Sequence, residues 1–405
     1  VKRLEDPALL TGTARFLDDI ELPAMLEACF LRSPFAHAMV RGIDTSAARA
    51  VDGVHAVYVM ADLSPHLTSN RVPVAFPAGV PNAETEGPVV LVADETCFAG
   101  EAVAIVLAES RHIAEDAAAL IEVDYDPLPA VGDCKAAMEP GAPSHRSDMD
   151  GNVLTEIVQD YGDVDAAFAD APHVFHEHIW QHRGSAHPME CRGVVANYDA
   201  LEDRTTVWSS TQMANLVHGS LVKLLGCDEN GVRVITPDVG GGFGPKFMFY
   251  PEEVVVTVAT KLAGRPVKWV EDRREHFIAT IQERDQYWDV EIACDGEGII
   301  KGLRGTLIHD HGAYTSQGVT LAFNASTAVP GPYKVPNYRL NAILVHTNKV
   351  PTSPVRGASH PQATFTMERM MDRVAAALGI DRAELRLRNM ITAADMPDKK
   401  PVKIR

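Results

Sequence analysis

Residues 236–247 read TPDVGGGFGPKF: three consecutive glycines, a phenylalanine, a fourth glycine, then Pro-Lys. Gly240, Gly241, Gly242 and Gly244 carry no Cβ, so the backbone can take φ > 0 and lie close against a ligand. Successive N–H groups in such a turn form a concavity for an anion or an oxo group. The alternative is a flexible connector. The setting argues for a ligand-contacting loop: β-like Val232, Val234 and Ile235 precede the run, and the apolar stretch Val254–Val258 follows it, whereas a linker sits among Ser, Gln and other polar residues. Two phosphate motifs fail. A dinucleotide fingerprint begun at Gly240 or Gly242 needs glycine at 245 or 247, where Pro245 and Phe247 stand, and a P-loop needs Gly-Lys-Ser/Thr, but Lys246 is flanked by Pro245 and Phe247.

Outward from the loop, 405 residues exceed what one core usually serves, so more than one domain is expected. Residues 1–130 read as an α+β unit. Ala102–Leu107 has the length and apolarity of a buried strand. Ser110 caps a helix with Ile113, Ala117, Leu120 and Ile121 on one face. The strand-like Ile121–Tyr125 follows, and Pro127 and Pro129 then stop regular structure. Residues 131–155, rich in Pro, Gly, Ser and Asp, read as a linker. In 156–405, strand signals fall at Val194–Tyr198, Thr206–Trp208 and the alternation Trp288, Val290, Ile292, and Asp295-Gly296-Glu297-Gly298 reads as a hairpin turn. Thr364–Leu378 carries Met367, Met370 or Met371, Val374 and Leu378 at helical spacing, with Gly379 as a stop. Methionines in such a stripe fill cores and are not ligands here. The fold class is α+β.

A formal net charge of −18 disfavours nucleic acid as a partner, since that binding relies on Lys and Arg. No stretch approaches the ~20 apolar residues that span a bilayer, and VKRLEDPALL has no long apolar signal region. The chain does not begin with Met, so a few initial residues are expected to be missing. The six cysteines are scattered, without a CxxC pair, which excludes a local zinc ribbon or ferredoxin-type cluster and suits a reducing, cytoplasmic setting.

The glycine loop closely resembles the GGGFG-K loop of the molybdenum hydroxylases, the xanthine dehydrogenase, aldehyde oxidase and carbon monoxide dehydrogenase large-subunit family. Further stations match in the family's order: residues 5–44, FAGEAVAIVLAESRHIAEDAAALIEVDYDPLPAV (98–131), WSSTQ (208–212), GRPVKWVEDRREHF (264–277), VRGASHPQATFTMERMMDRVAAALGID (355–381) and AELRLRNMI (383–391). The resemblance implies an amino-terminal hammerhead-like α+β domain at 1–130, a linker at 131–155, and at 156–405 the first half of a mixed α+β molybdopterin-binding domain. The implied reaction is oxidative hydroxylation of an aldehyde or aromatic N-heterocycle, R–H + H₂O → R–OH + 2e⁻ + 2H⁺. The cofactor would be molybdopterin with molybdenum, in its cytosine dinucleotide form. With no cluster motif here, Fe–S clusters and FAD are expected on partner chains.

The resemblance also assigns residues. Alone, Gln212 reads as a structural amide; the family's matching Gln hydrogen-bonds an oxo ligand of the metal. Gly241, Gly242, Phe243 and Gly244 would contact the cofactor through fixed backbone amides, although Phe243 can equally be a core anchor. Arg356 is either a surface arginine or, as in the family, a group that touches substrate or metal centre and stabilises negative charge. No cysteine lies in 355–362, where copper-containing carbon monoxide dehydrogenases carry one, so that activity is not expected. Phe247 stands where purine-oxidising relatives place a glutamate, which argues for a less polar substrate. No residue is expected to ligate a metal directly. The family's catalytic glutamate has no counterpart: Gly100–Glu101 and Gly296–Glu297 are at the wrong stations, and the chain ends at KKPVKIR soon after RNMI. That base is therefore expected on a companion molybdopterin-binding chain. Two other readings stay open: a non-catalytic scaffold half of such a complex, and a metal-dependent hydrolase using His182, His187 and Glu190 with His309 or His311, whose spacing is not that of a zincin.

Overall fold

The computed structural model describes residues 3–74, 87–317 and 319–396, so the terminal KKPVKIR lies outside it. Its strands are β1 (Leu26–Arg32), β2 (Ala38–Asp44), β3 (Val54–Val59), β4 (Glu95–Thr96), β5 (Ala102–Ala108), β6 (Glu122–Pro127), β7 (Val153–Tyr161), β8 (His173–Gln181), β9 (Gly193–Asp199), β10 (Arg204–Ser209), β11 (Val232–Ile235), β12 (Val267–Val270), β13 (Gln286–Cys294), β14 (Ile300–Gly312) and β15 (Tyr338–His346). They form three sheets: a seven-stranded one in the order β11-β10-β9-β12-β1-β5-β3, a five-stranded one in the order β7-β15-β14-β13-β8, and a small one in the order β4-β2-β6. With helices on these sheets, the α+β class holds.

The large sheet joins distant parts of the chain. β1 runs parallel to β12, with Leu26 opposite Val267, and antiparallel to β5. Leu26, Phe30, Ile105 and Leu107 share one core with Val194, Val207, Val254 and Trp269. The amino-terminal α+β region and the region after residue 156 thus share a sheet and a core.

The run Val254–Val258 lies in a helix, Pro251–Ala263. β-Branched residues are middling helix formers, but the ends are well specified. Pro251 sits in the first turn, the Glu253 carboxylate accepts from the Tyr250 N–H (2.9 Å), and Gly264 closes the helix in the left-handed region, its N–H donating to Thr260 O (3.1 Å). Residues Glu252 to Thr260 are all buried, so packing decides the conformation.

In the second core, the helix His360–Leu378 buries Met367, Met370, Met371 and Val374 with Val290, Ile292 and Leu303 of the five-stranded sheet. The β13–β14 hairpin turns at Asp295–Gly298, where the Asp295 carboxylate accepts from the Glu297 and Ile299 N–H groups at 3.1 and 2.9 Å. The stretch 131–152 has little regular structure, yet Val131, Cys134, Ala137, His145 and Asn152 are buried. Asn348 ties it down, accepting from the Val131 N–H (2.9 Å) and donating to Cys97 O (3.0 Å) and His145 O (2.8 Å).

Candidate functional site

β10 ends at Ser209, and the chain continues through Thr211 to Gln212 against the glycine loop. The Gln212 N–H donates to Lys246 O (2.8 Å), and Thr211 Oγ1 donates to the same carbonyl (3.2 Å). Gln212 Oε1 then accepts from the Gly244 N–H at 2.9 Å. Because that N–H can only be met by the amide oxygen, the NH₂ of Gln212 is left as a donor on the other side.

The loop needs its glycines for close approach. Gly241 and Gly244 take φ of 98° and 113°, and Phe243 itself takes 56°, a region that non-glycine residues rarely adopt. A Cβ on Gly244 would stand 2.0 Å from Pro354 O, and one on Gly242 would stand 2.4 Å from Gln212 Oε1. The 354–357 segment therefore lies directly on the loop. The Arg356 N–H donates to Phe243 O (2.8 Å), and its guanidinium lies 4.6 Å from the Phe243 ring centroid. Gln212, Phe243, Gly244 and Arg356 thus meet in one patch, with the first two and Arg356 exposed. Phe247 is set apart. It is partly buried behind the loop among Met248, Tyr250, Ile281 and Val355, and its N–H donates to Gly244 O (2.7 Å).

The supports of this loop are residues that sequence reasoning missed. Lys246 is buried, and its Nζ donates to Glu190 Oε2 at 2.6 Å. Burial lowers its pKa while Glu190 opposes that shift. The same Glu190 oxygen accepts from the Gly240 N–H at 2.8 Å, so one ion pair holds both ends of the glycine run. The signal available was a lone lysine ahead of the apolar run Phe247–Tyr250. Tyr250 Oη donates to Pro245 O (2.6 Å), and the Arg192 guanidinium stacks 3.9 Å from the Tyr250 ring centroid. Arg192 in turn donates to Glu252 (3.1 Å) and Glu271 (3.0 Å), and Arg32 reaches Glu252 at 2.8 Å. Burial alone would raise the Glu252 and Glu271 pKa values, but the Arg192 charge outweighs it and holds both below the usual carboxylate range. On the opposite side, Glu283 Oε1 accepts from the Ser359 N–H (3.0 Å) and fixes the segment that carries Arg356. Burial pushes the Glu283 carboxyl up to about 7 against the charge of Arg284.

The hydrolase residues do not converge. His182 Nδ1 lies 2.9 Å from Arg183 O, the His187 ring packs on His276 and Phe277, and Glu190 is engaged by Lys246. His309 and His311 share one face of β14, ring centroids 5.0 Å apart, while Asp310 is paired with Arg183 and Lys349. Among the described residues, no metal-ligand cluster contains any of them.

The loop does suit an oxo-bearing or anionic cofactor. Among the described residues nothing accepts from the amides of Gly241, Gly242 or Phe243. Three successive donors at a left-handed turn, beside the Gln212 NH₂ and the Arg356 guanidinium, form the kind of electropositive concavity that binds such groups.

Residues 145–390 match the family model of the molybdopterin cofactor-binding domain, and residues 11–129 match that of the aldehyde oxidase and xanthine dehydrogenase a/b hammerhead domain. The chain is 38% identical, over 96% of its length, to the nicotine 6-hydroxylase large subunit of Paenarthrobacter nicotinovorans, of which it covers 48%. It is 30% identical to the nicotinate dehydrogenase large molybdopterin subunit of Eubacterium barkeri, covering 93% of this chain and 85% of that one. Quinoline 2-oxidoreductase from Pseudomonas putida 86 superposes with a TM-score of 0.92 at 35% identity, over 100% of this chain and 51% of that one. The chain spans about half the length of most of the curated relatives it matches.

Proposed function

The chain belongs to the aldehyde oxidase and xanthine dehydrogenase family of molybdopterin-binding subunits, and from that premise we propose that it forms one half of a molybdenum hydroxylase centre. The substrate would be an aromatic N-heterocycle or an aldehyde, converted by R–H + H₂O → R–OH + 2e⁻ + 2H⁺. When bound, the molybdenum–pterin cofactor supplies the two-electron acceptor and the site at which water oxygen is delivered. The observation that carries the reading is the juxtaposition of the donor-rich turn Gly241–Phe243 with Gln212 and Arg356.

In this reading the Gln212 NH₂ and the loop amides hold the cofactor's oxygen atoms, already oriented by Lys246–Glu190 and the Gly244 contact. Arg356, held against Phe243, stabilises negative charge as it develops on the substrate. Phe247, packed behind the loop with Val355 and Ile281, backs the site with apolar side chains in place of a glutamate. Without a carboxylate at that position a less polar aromatic heterocycle or an aldehyde is favoured over a purine, and the similarity to the nicotine 6-hydroxylase large subunit and quinoline 2-oxidoreductase supports this. The remainder of the pocket, including the glutamate base, would come from outside residues 1–405. Electrons leave through Fe–S and FAD chains, and the pterin carries a cytosine dinucleotide. We keep 1–130, 131–155 and 156–405 as divisions along the chain, the first and last of which share the large sheet. Among the described residues no helix is long and apolar enough to cross a membrane, and a cytoplasmic location fits the unpaired cysteines.

Metal and pterin analysis of the complex purified with its co-isolating chains tests this directly. We expect stoichiometric molybdenum, and ¹⁸O from labelled water in the hydroxylated product of quinoline or an aldehyde. A complex free of molybdenum, or product oxygen derived from O₂, would end the proposal.

A further inference from the structure

β8 and β13 are antiparallel neighbours, with Asp289 directly opposite His178 and Glu291 opposite His176. Side chains alternate between faces along a strand, so His176, His178 and Asp289 all stand on the exposed face of the five-stranded sheet. Asp289 Oδ1 lies 2.7 Å from His176 Nε2, and Oδ2 lies 3.0 Å from His178 Nδ1. The three donor atoms are within 4.8 Å of one another, and the imidazole centroids are 4.3 Å apart.

We propose that His176, His178 and Asp289 form a surface site for a divalent transition-metal ion, with Zn²⁺ the fitting cation. One histidine across from an aspartate makes an ordinary cross-strand pair. A second imidazole, two residues along the same strand and directed at the other oxygen of the same carboxylate, gathers three donors around one point. Ligand atoms on a tetrahedral zinc are roughly 3.3 Å apart, given bond lengths near 2.0–2.1 Å, so small side-chain rotations bring these three donors onto one ion. Two imidazole nitrogens with one carboxylate suit zinc or copper, not the oxygen-seeking Ca²⁺ or Mg²⁺. Glu291 is not a fourth ligand, because its carboxylate is taken by Arg304 at 2.7 Å. His178 and Asp289 also line a cleft with Lys135, Trp180 and Tyr287, in which the Trp180 and Tyr287 rings stack with centroids 5.8 Å apart. The other convergent group, Cys191–Glu271–His276, has no such freedom: Glu271 is bonded to Arg192, and both His276 nitrogens have partners, at 2.9 Å to Glu271 and 3.2 Å to Ala186 O.

The test uses the chain with its co-purifying partners, stripped of loosely bound metal, titrated with ZnCl₂ by calorimetry and with Co²⁺ by visible absorption. Wild type is expected to take up one more Zn²⁺ per chain than the His176→Ala/His178→Ala double variant, and to show a cobalt d–d band that the variant lacks. Asp289→Asn should weaken zinc by at least the ~10–100-fold that follows loss of a partner that merely orients a ligand. Unchanged thermal melting of both exposed-site variants would confirm that the loss is local. If wild type takes up no zinc, or if both variants bind it with the same stoichiometry and affinity, the site does not exist.

Discussion

In the proposed centre Gln212 does two things with one amide: its oxygen holds the loop through the Gly244 N–H, and its NH₂ is left to donate to the cofactor. Two substitutions separate these roles. Gln212→Glu keeps an acceptor for the Gly244 N–H but has no donor, whereas Gln212→Ala loses both. Thermal stability should therefore stay near wild type in the first and fall by about 0.5–1.5 kcal/mol in the second, while turnover drops at least ~10-fold in both. Equal turnover in wild type and Gln212→Glu would remove Gln212 from the cofactor's surroundings. At Arg356, lysine should not substitute, because it lacks the planar fork. Arg356→Met should lower kcat/KM by about 10²-fold or more, taking loss of one preorganised donor as the guide, with molybdenum content unchanged. Single-turnover reduction by substrate reads this without later electron transfer, and unchanged reduction in both variants would make Arg356 a surface residue. That these two residues and the glycines between them belong to one patch was legible from the order of motifs in the sequence. Glu190 and Lys246 were not, because a buried ion pair between residues 56 apart leaves no local pattern.

The strands and the hairpin at Asp295–Gly298 were legible at the level of elements, since alternation and turn chemistry are local signals. The run Val254–Val258 left helix and strand undecided, as short apolar runs do; its capping residues Pro251, Glu253 and Gly264 were the signal that settles it. The segment carrying Arg356 is fixed by Glu283, and this contact makes a pH prediction. Burial raises the Glu283 carboxyl from 4.5 to about 7 in the folded chain, so the folded state holds the proton more tightly than the unfolded one. Its stabilising contribution is full below about pH 4.5 and is lost as pH rises through about 7. Glu283→Gln retains an acceptor for the Ser359 N–H and does not titrate. Relative to wild type it should gain stability between pH 5 and pH 8, by about 3 kcal/mol at most. Urea midpoints at both values measure this, and a difference that does not change with pH would show that Glu283 does not titrate in that range.

The family and the α+β class expected from the sequence hold for the whole molecule. The sharing of the large sheet between the amino-terminal region and the strands of residues 193–270 was not legible, because strand pairing across such distances has no sequence signature. The exposed large apolar side chains include Phe243 on the glycine loop and, at 93% exposure, Met189 beside the supporting Glu190. Expressed alone, the chain should self-associate, as judged by light scattering, and co-expression with a companion chain should suppress this. A sharp, concentration-independent melt of the lone chain as a monomer would count against a missing half-site. The pairing of β1 with β12 has a further consequence for biosynthesis. Leu26 waits for Val267, about 240 residues later, and at roughly 5–20 residues per second the ribosome takes on the order of 10–50 s to deliver it. For that interval the nascent amino-terminal segment has one flank of β1 unpaired and its core without Val267 and Trp269. Slowing translation before residue 267 therefore lengthens that exposure instead of relieving it.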